Sequence, residues 1–201
     1  MHNYIVVDNL ITKRSADNLI NLIEDILYEE EECNCPNHEL QKIIELPKTS
    51  EKAWERIKDF VFDIGLGSIN RDYKSYQLIG LSDSVTLSRH NTHIEMHRDK
   101  EDKISYRGVK YDDVVCLYKI AIYLNDINSH PQCKAGGTIL YDEDGIQRVA
   151  IAPKKGRALI FDIRDLHSGA PIPSGKTKYL IGFRLLYREC KHGPQAFETI
   201  P

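Results

Sequence analysis

The sequence predicts a mainly β protein, a double-sheet jelly roll with two amphipathic helices laid against its outside near the N-terminus. Three observations carry this. Apolar residues recur with a helical period as far as Ile64 and with an extended period from Tyr76 onward. Eight short strand-like runs then follow, separated by turn residues. No internal repeat, low-complexity segment or linker divides the 201 residues. One domain is therefore expected, with residues 1–70 as an N-terminal strand and supporting helices and residues 76–190 as the jelly-roll core. A chain of this length buries roughly 70% of its unfolded surface, enough for a substantial core.

Taken in order, Ile5-Val6-Val7 reads as a short strand. Thr12 or Ser15 can cap the helix that follows, which sets Ala16, Leu19, Ile20, Ile23, Ile26 and Leu27 along one side. Its end runs into Glu29-Glu30-Glu31-Glu32, a solvated acidic stretch. Cys33, Cys35 and His38 next to it have the chemistry to grip zinc, but the single intervening residue is tight and a fourth ligand is not evident. Ser50 is expected to cap a second helix, with Ala53, Trp54, Ile57, Phe60, Val61 and Ile64 as its packing stripe and Gly65 and Gly67 closing it. The strand-like runs are Tyr76–Ile79, Val85–His90, His93–His97, Val114–Leu124, Gly137–Tyr141, Arg148–Ala152, Arg157–Ile163 and Lys178–Tyr187. Gly136-Gly137 and Gly156 suit turns and bends. Two loops beside the chemistry, Lys100–Asp113 and Asn125–Ala135, are candidates for gating a site or choosing its substrate.

Composition narrows the function classes. A net charge of −3 gives no electrostatic footprint of a nucleic-acid binder. No run has the apolar length of a membrane span, and the N-terminus lacks a signal peptide's basic and apolar segments. The five cysteines are odd in number and follow no framework spacing, so reduced thiols in a cytoplasmic setting are expected. Oligomeric state is open.

The chemistry centres on His97-Arg98-Asp99 and His167. His97 and Asp99 leave an extended strand on the same face, because strand side chains alternate. A later histidine can complete a set of two imidazoles and one carboxylate, which suits ferrous iron and leaves the opposite hemisphere open. His93-Ile94-Glu95 is a rival pair on the same segment, although the longer glutamate would push the metal outward. Lys178, eleven residues after His167, begins the run Tyr179-Leu180-Ile181-Gly182-Phe183, where a buried cation could hold a dicarboxylic cosubstrate. Strand parity puts Lys178, Leu180, Gly182 and Arg184 on one face, and Lys119, Ala121 and Tyr123 on one face of their own strand.

The order of His97-Arg98-Asp99, Tyr123-Leu124-Asn125, Gly136-Gly137-Thr138, Pro153 to Phe161, and His167 with Pro171 and Lys178-Tyr179 resembles the 2-oxoglutarate- and Fe(II)-dependent dioxygenases, and their prolyl 4-hydroxylase-like branch most of all. The resemblance spans nearly the whole chain and is weakest from Glu29 to Ser75. It implies a cupin-like double-stranded β-helix core, with His97, Asp99 and His167 as catalytic iron ligands. It also implies Fe(II), O2 and 2-oxoglutarate as reactants, with ascorbate as a candidate reductant. The implied activity hydroxylates an unactivated C–H bond of a peptide, protein or small molecule. For the far carboxylate of 2-oxoglutarate the resemblance favours Lys178, with Lys176, Arg184 and Lys119 as alternatives and Tyr123 as a hydrogen-bond donor. His90 stands where relatives carry a tyrosine, while His130 and His192 match no family position. The resemblance implies halogenation only where the carboxylate ligand is missing, so Asp99 favours hydroxylation. Two other readings are an AlkB-type nucleic-acid demethylase, which the acidic charge disfavours, and a non-catalytic jelly-roll module holding a structural metal.

Overall fold

The structure, a computed structural model, describes residues 4–28, 39–99, 104–127 and 134–190, with side chains omitted for 27, 28 and 39–41. In chain order the elements are β1 (Ile5–Val7), α1 (Lys13–Tyr28), β2 (Glu39–Glu45), α2 (Pro47–Asp63), β3 (Ser68–Arg71), β4 (Lys74–Leu81), β5 (Ser84–His90) and β6 (Ile94–His97). There follow β7 (Ser105–Tyr106), β8 (Val109–Lys110), β9 (Val114–Tyr123), β10 (Thr138–Tyr141), β11 (Gln147–Ile151), β12 (Ala158–Asp162), β13 (His167–Gly169) and β14 (Lys178–Glu189).

All strands but β7 and β8, which form a separate hairpin, curl into two antiparallel sheets, a mainly β jelly-roll-like architecture. The major sheet runs β1-β12-β9-β14-β4-β3, with β5 and β2 attached through β14, and the minor sheet runs β11-β10-β13-β6. At its centre β14 pairs with β9 along one edge, while on the other edge its first half pairs with β5 and its second half with β4. The corner between β4 and β5 at Ser82-Asp83 makes that exchange possible.

Alternation along the strands separates the two larger cores. Val85 and Leu87, Ile120 and Ile122, Ala158 and Ile160, and Ile181, Phe183 and Leu185 share one buried cluster with Ala16 and Ile23 of α1 and Ile57 and Val61 of α2. The opposite face contributes Ala121, Tyr123, Leu159 and Phe161 to a smaller core that includes Leu140 and Ile151 of the minor sheet. Each such apolar side chain contributes about 1.5–3 kcal/mol on burial, so the two cores fix which side chains are left to face the gap between the sheets.

The eight expected strands are all present with no end shifted by more than two residues, and β1 lies where it was expected. The structure adds β2, β3, β7, β8 and β13. Thr12 caps α1: its hydroxyl oxygen accepts the Ser15 N–H at 3.1 Å. The expected start of the second helix is corrected. Pro47 occupies the first turn of α2 and Leu46 stands before it without a side-chain cap, an arrangement that suits proline's fixed φ and missing N–H. Ser50 lies inside the helix and donates its hydroxyl to the Ser82 carbonyl at 2.7 Å. Gly136 and Gly156 take left-handed φ values of 71° and 83°, as turn glycines. No helix among the described residues is long and apolar enough to cross a membrane.

Candidate metal centre and cosubstrate cleft

His97 is the last residue of β6 and His167 the first of β13, and the two are direct cross-strand partners. Seventy residues of chain are thus closed by one antiparallel register, which brings the ring centroids to 4.3 Å. Asp99 follows two residues beyond the strand end, on the same face. One donor atom from each of His97, Asp99 and His167 lies within 4.8 Å of the others, and this is the one such group of three among the described residues.

The tautomers are set by the backbone. The Nδ1 of His97 lies 2.8 Å from the Glu95 carbonyl oxygen and the Nδ1 of His167 lies 2.9 Å from that of Asp165. Each Nδ1–H donates to a carbonyl, so each Nε2 presents its lone pair to the shared point, and second bonds of this kind orient metal-binding imidazoles. The edge of the Phe161 ring packs against His167 at 4.9 Å. Burial pulls the His167 pKa down to about 4 against the opposing field of Asp99, so the ring is neutral at neutral pH. Burial would raise Asp99, but the Lys119 ammonium and then His167 outweigh it and hold the carboxyl below its ordinary value. Two imidazoles and one carboxylate form a donor set suited to a divalent ion such as ferrous iron.

Beside this triad lies a cleft of ≈ 500 Å³ including its mouth, lined by residues of both sheets. Thr86, Ser88 and His90 come from β5, Lys119 and Ala121 from β9, Phe161 from β12, Lys178 and Leu180 from β14, and Thr138 and Ser168 from the minor sheet. Lys178 is 2% exposed and sits opposite His90 in the β14–β5 ladder. Burial, reinforced by Lys178 and Lys119, lowers the His90 pKa to about 3, so this ring is also neutral.

The chain holds Lys178 in place from both sides. The Asn125 amide donates to the Thr177 carbonyl at 2.7 Å, and its oxygen accepts the Tyr179 N–H at 3.0 Å.

The sequence match falls on these elements. Residues 84–183, about half of the chain, match the family model described as the 2OG-Fe(II) oxygenase superfamily. This core belongs to that superfamily. No curated protein gives a significant sequence match. Solved structures share the fold at low identity. A prolyl-4-hydroxylase from Pseudomonas putida aligns at 14% identity and TM-score 0.53, covering 92% of each chain. The viral collagen prolyl hydroxylase of Paramecium bursaria Chlorella virus-1, in a 2-oxoglutarate complex, aligns at 19% identity and TM-score 0.56, covering 92% of this chain and 96% of that one. A Trichoplax adhaerens prolyl hydroxylase, in complex with a peptide fragment of the hypoxia inducible factor oxygen degradation domain, aligns at 16% identity and TM-score 0.57, covering 90% and 82%. The fold of this oxygenase is thus prolyl hydroxylase-like.

The other expected site residues in the oxygenase fall in different places. Lys176 is exposed on the turn before β14, outside the cleft lining. Arg184 is buried on the same face as Lys178 and pairs in register with Lys119, but it too lies outside the lining. Tyr123 is fully buried and donates its hydroxyl to Thr138 Oγ1 at 2.6 Å, so Thr138 stands between it and the cleft. Burial raises the Tyr123 pKa to about 12, which keeps it a donor. The Lys119 ammonium lies 3.0 and 2.9 Å from the two carboxylate oxygens of Asp99. His93 and Glu95 are both exposed, and Glu95 uses its carbonyl to orient His97.

Cys33, Cys35, His38, Cys133, His130 and His192 lie outside the described residues, as do 100–103 and 128–133 of the two candidate loops. The rest of the Lys100–Asp113 loop forms the β7–β8 hairpin, which Asp83 holds by accepting the Arg107 and Gly108 N–H groups at 3.0 and 2.7 Å. That anchor is at the opposite end of β5 from His90. Sequence reading missed Thr86, Ser88, Thr138 and Ser168 as cleft residues. For Thr86 and Ser88 the signal was the polar alternation in Val85-Thr86-Leu87-Ser88, which on its own reads as a solvent face.

Proposed function

We propose that this chain is an Fe(II)- and 2-oxoglutarate-dependent hydroxylase acting on a C–H bond of a peptidyl residue or a small molecule. The observation that carries the reading is the convergence of His97, Asp99 and His167 beside a cleft floored by the buried Lys178. In this reading the two Nε2 atoms and an Asp99 oxygen hold the iron. The bound iron and 2-oxoglutarate supply oxygen activation coupled to oxidative decarboxylation, giving succinate and carbon dioxide.

The protein's own residues do the positioning. Lys178 meets the far carboxylate of 2-oxoglutarate in a partly dry cleft, where an ammonium–carboxylate pair is far stronger than in water. Neutral His90 adds no competing charge, and the hydroxyls of Thr86, Ser88, Thr138 and Ser168 offer hydrogen bonds along the cleft. The Asn125 clamp sets the entry of β14 and thereby the direction of Lys178. Phe161 and the inter-sheet core exclude water from one side of the centre.

Incubation with Fe(II), O2 and 2-oxoglutarate is expected to form succinate, and a screen of cell extract by mass spectrometry is expected to find a species gaining one oxygen only when all three are supplied. Absence of succinate from protein shown to bind Fe(II), with or without extract, contradicts the reading.

A further inference from the structure

We infer that Lys119 is a positioning residue that confines Asp99 to one metal–oxygen bond and so keeps two coordination positions open for the chelating end of the cosubstrate. The inference rests on the proposed iron and 2-oxoglutarate reading and concerns a residue to which that reading gives no role.

Lys119 comes from β9 of the major sheet, whereas Asp99 follows β6 of the minor sheet, so their ion pair bridges the two layers at the metal end of the gap. Both side chains are about nine-tenths buried. His97 and His167 are each oriented by a backbone carbonyl, and Lys119 is the matching partner of the third donor. A carboxylate has two oxygens, and either or both can bind a metal. Asp99 Oδ2 faces His167 Nε2 at 3.8 Å and is the oxygen turned toward the shared point. The Lys119 ammonium spans both oxygens, at 3.0 Å from Oδ1 and 2.9 Å from Oδ2. When Oδ2 takes a metal ion, the ammonium's bond to Oδ1 keeps that second oxygen occupied. Three protein donors on a six-coordinate ion then leave room for a bidentate 2-oxo acid and one small molecule. A second Asp99 oxygen would remove one of those positions.

The path of the Lys119 side chain is also built in. A Cβ at Gly182 would stand 3.2 Å from Lys119 Cε and 3.2 Å from Thr86 Cβ. Those contacts are tighter than side chains normally accept, so glycine at 182 gives the lysine its lane across the sheet. An anchor for the far carboxylate of 2-oxoglutarate would point toward Lys178, yet Lys119 spends its donors on Asp99.

The test uses the purified full chain loaded with Co(II), titrated calorimetrically with 2-oxoglutarate and separately with oxalate. Oxalate chelates through two oxygens but has no far carboxylate. Lys119→Met is expected to bind Co(II) within threefold of the parent or more tightly, and to weaken 2-oxoglutarate and oxalate by a similar factor of at least ten. Its visible Co(II) spectrum should shift, and Lys119→Arg should restore both affinities. Gly182→Ala should move the same readouts in the same direction by a smaller factor. Loss of 2-oxoglutarate affinity with oxalate unchanged would overturn the inference and make Lys119 a carboxylate anchor. Unchanged affinity for both chelators would overturn it as well. Should Lys119→Met not fold, a Lys119→Arg protein whose two affinities and Co(II) spectrum match the parent supports the inference, and one that loses only 2-oxoglutarate overturns it. Failure of the parent protein to bind Co(II) and 2-oxoglutarate at all would instead sink the oxygenase reading itself.

Discussion

On β14, Ile181, Phe183 and Leu185 lie in the cluster shared with the two helices, while Lys178 and Leu180 line the cleft and Gly182 lets Lys119 pass. On β5, Val85 and Leu87 go to the helices and Thr86, Ser88 and His90 go to the cleft, all of them buried. The same strands therefore present an apolar face and a polar face, both of them largely buried. The helix-side face is a matter of volume and area. The cleft-side face carries groups whose burial costs free energy unless each finds a partner, and that cost is tolerated where the site is built.

Substitutions on the two faces should therefore separate stability from binding. The largest effect is expected from His167→Ala or His97→Ala, which should reduce Fe(II)-dependent succinate formation to background while leaving the folded β signature in circular dichroism. Next, Lys178→Met should weaken 2-oxoglutarate binding by about 2–5 kcal/mol, the range for removing one partner of a buried charged pair, and Lys176→Ala should leave the calorimetric affinity unchanged. On the other face, Leu87→Ala should cost about 2–5 kcal/mol in urea unfolding without altering cosubstrate affinity per folded molecule. A Leu87 variant that loses 2-oxoglutarate binding at full folding would erase the distinction between the faces.

A smaller effect concerns pH. The pKa of His90 is about 3 in the folded chain against an ordinary value of 6.5 when the ring is fully solvated. Between those values the unfolded chain binds the extra proton, so stability is intact above about pH 6.5 and falls as pH drops. At about 1.4 kcal/mol per pH unit, His90 alone should cost about 2 kcal/mol between pH 7 and pH 5 in the metal-free protein. Buried neutral His167 acts in the same direction. His90→Gln should flatten the slope measured by denaturant unfolding. The smallest effect is expected at the helix cap, where Thr12→Ala should cost about 1 kcal/mol.

What could be read from the chain beforehand was whatever is local. The pair at His97 and Asp99 needs only strand alternation, and the shift from helical to extended period locates β4 to β6 and β9 to β14 apart from β13. Three residues, His167 to Gly169, are too few to show a period, and the pairing of His167 with His97 is a non-local register that no window of sequence contains. Likewise β2, Glu-Leu-Gln-Lys-Ile-Ile-Glu, does not alternate cleanly. Ser50 looked like a cap because serine before an apolar stripe often is one, yet its hydroxyl is used by the Ser82 carbonyl from another element. The polar side of β5 was legible as an alternation but not as a cleft, since solvent and a buried site select the same residue types. Strand parity places Lys119 on the face of Ala121 and Tyr123, whereas its pairing with Asp99 depends on how two sheets stack.

The most direct measurement is an anaerobic titration of the purified protein with Fe(II) and then 2-oxoglutarate, followed by visible absorption. Chelation of iron held by His97, Asp99 and His167 should produce a metal-to-ligand charge-transfer band that saturates at one equivalent and disappears in His167→Ala. Iron that binds without such a band, or a band that survives the loss of His167, would contradict the account.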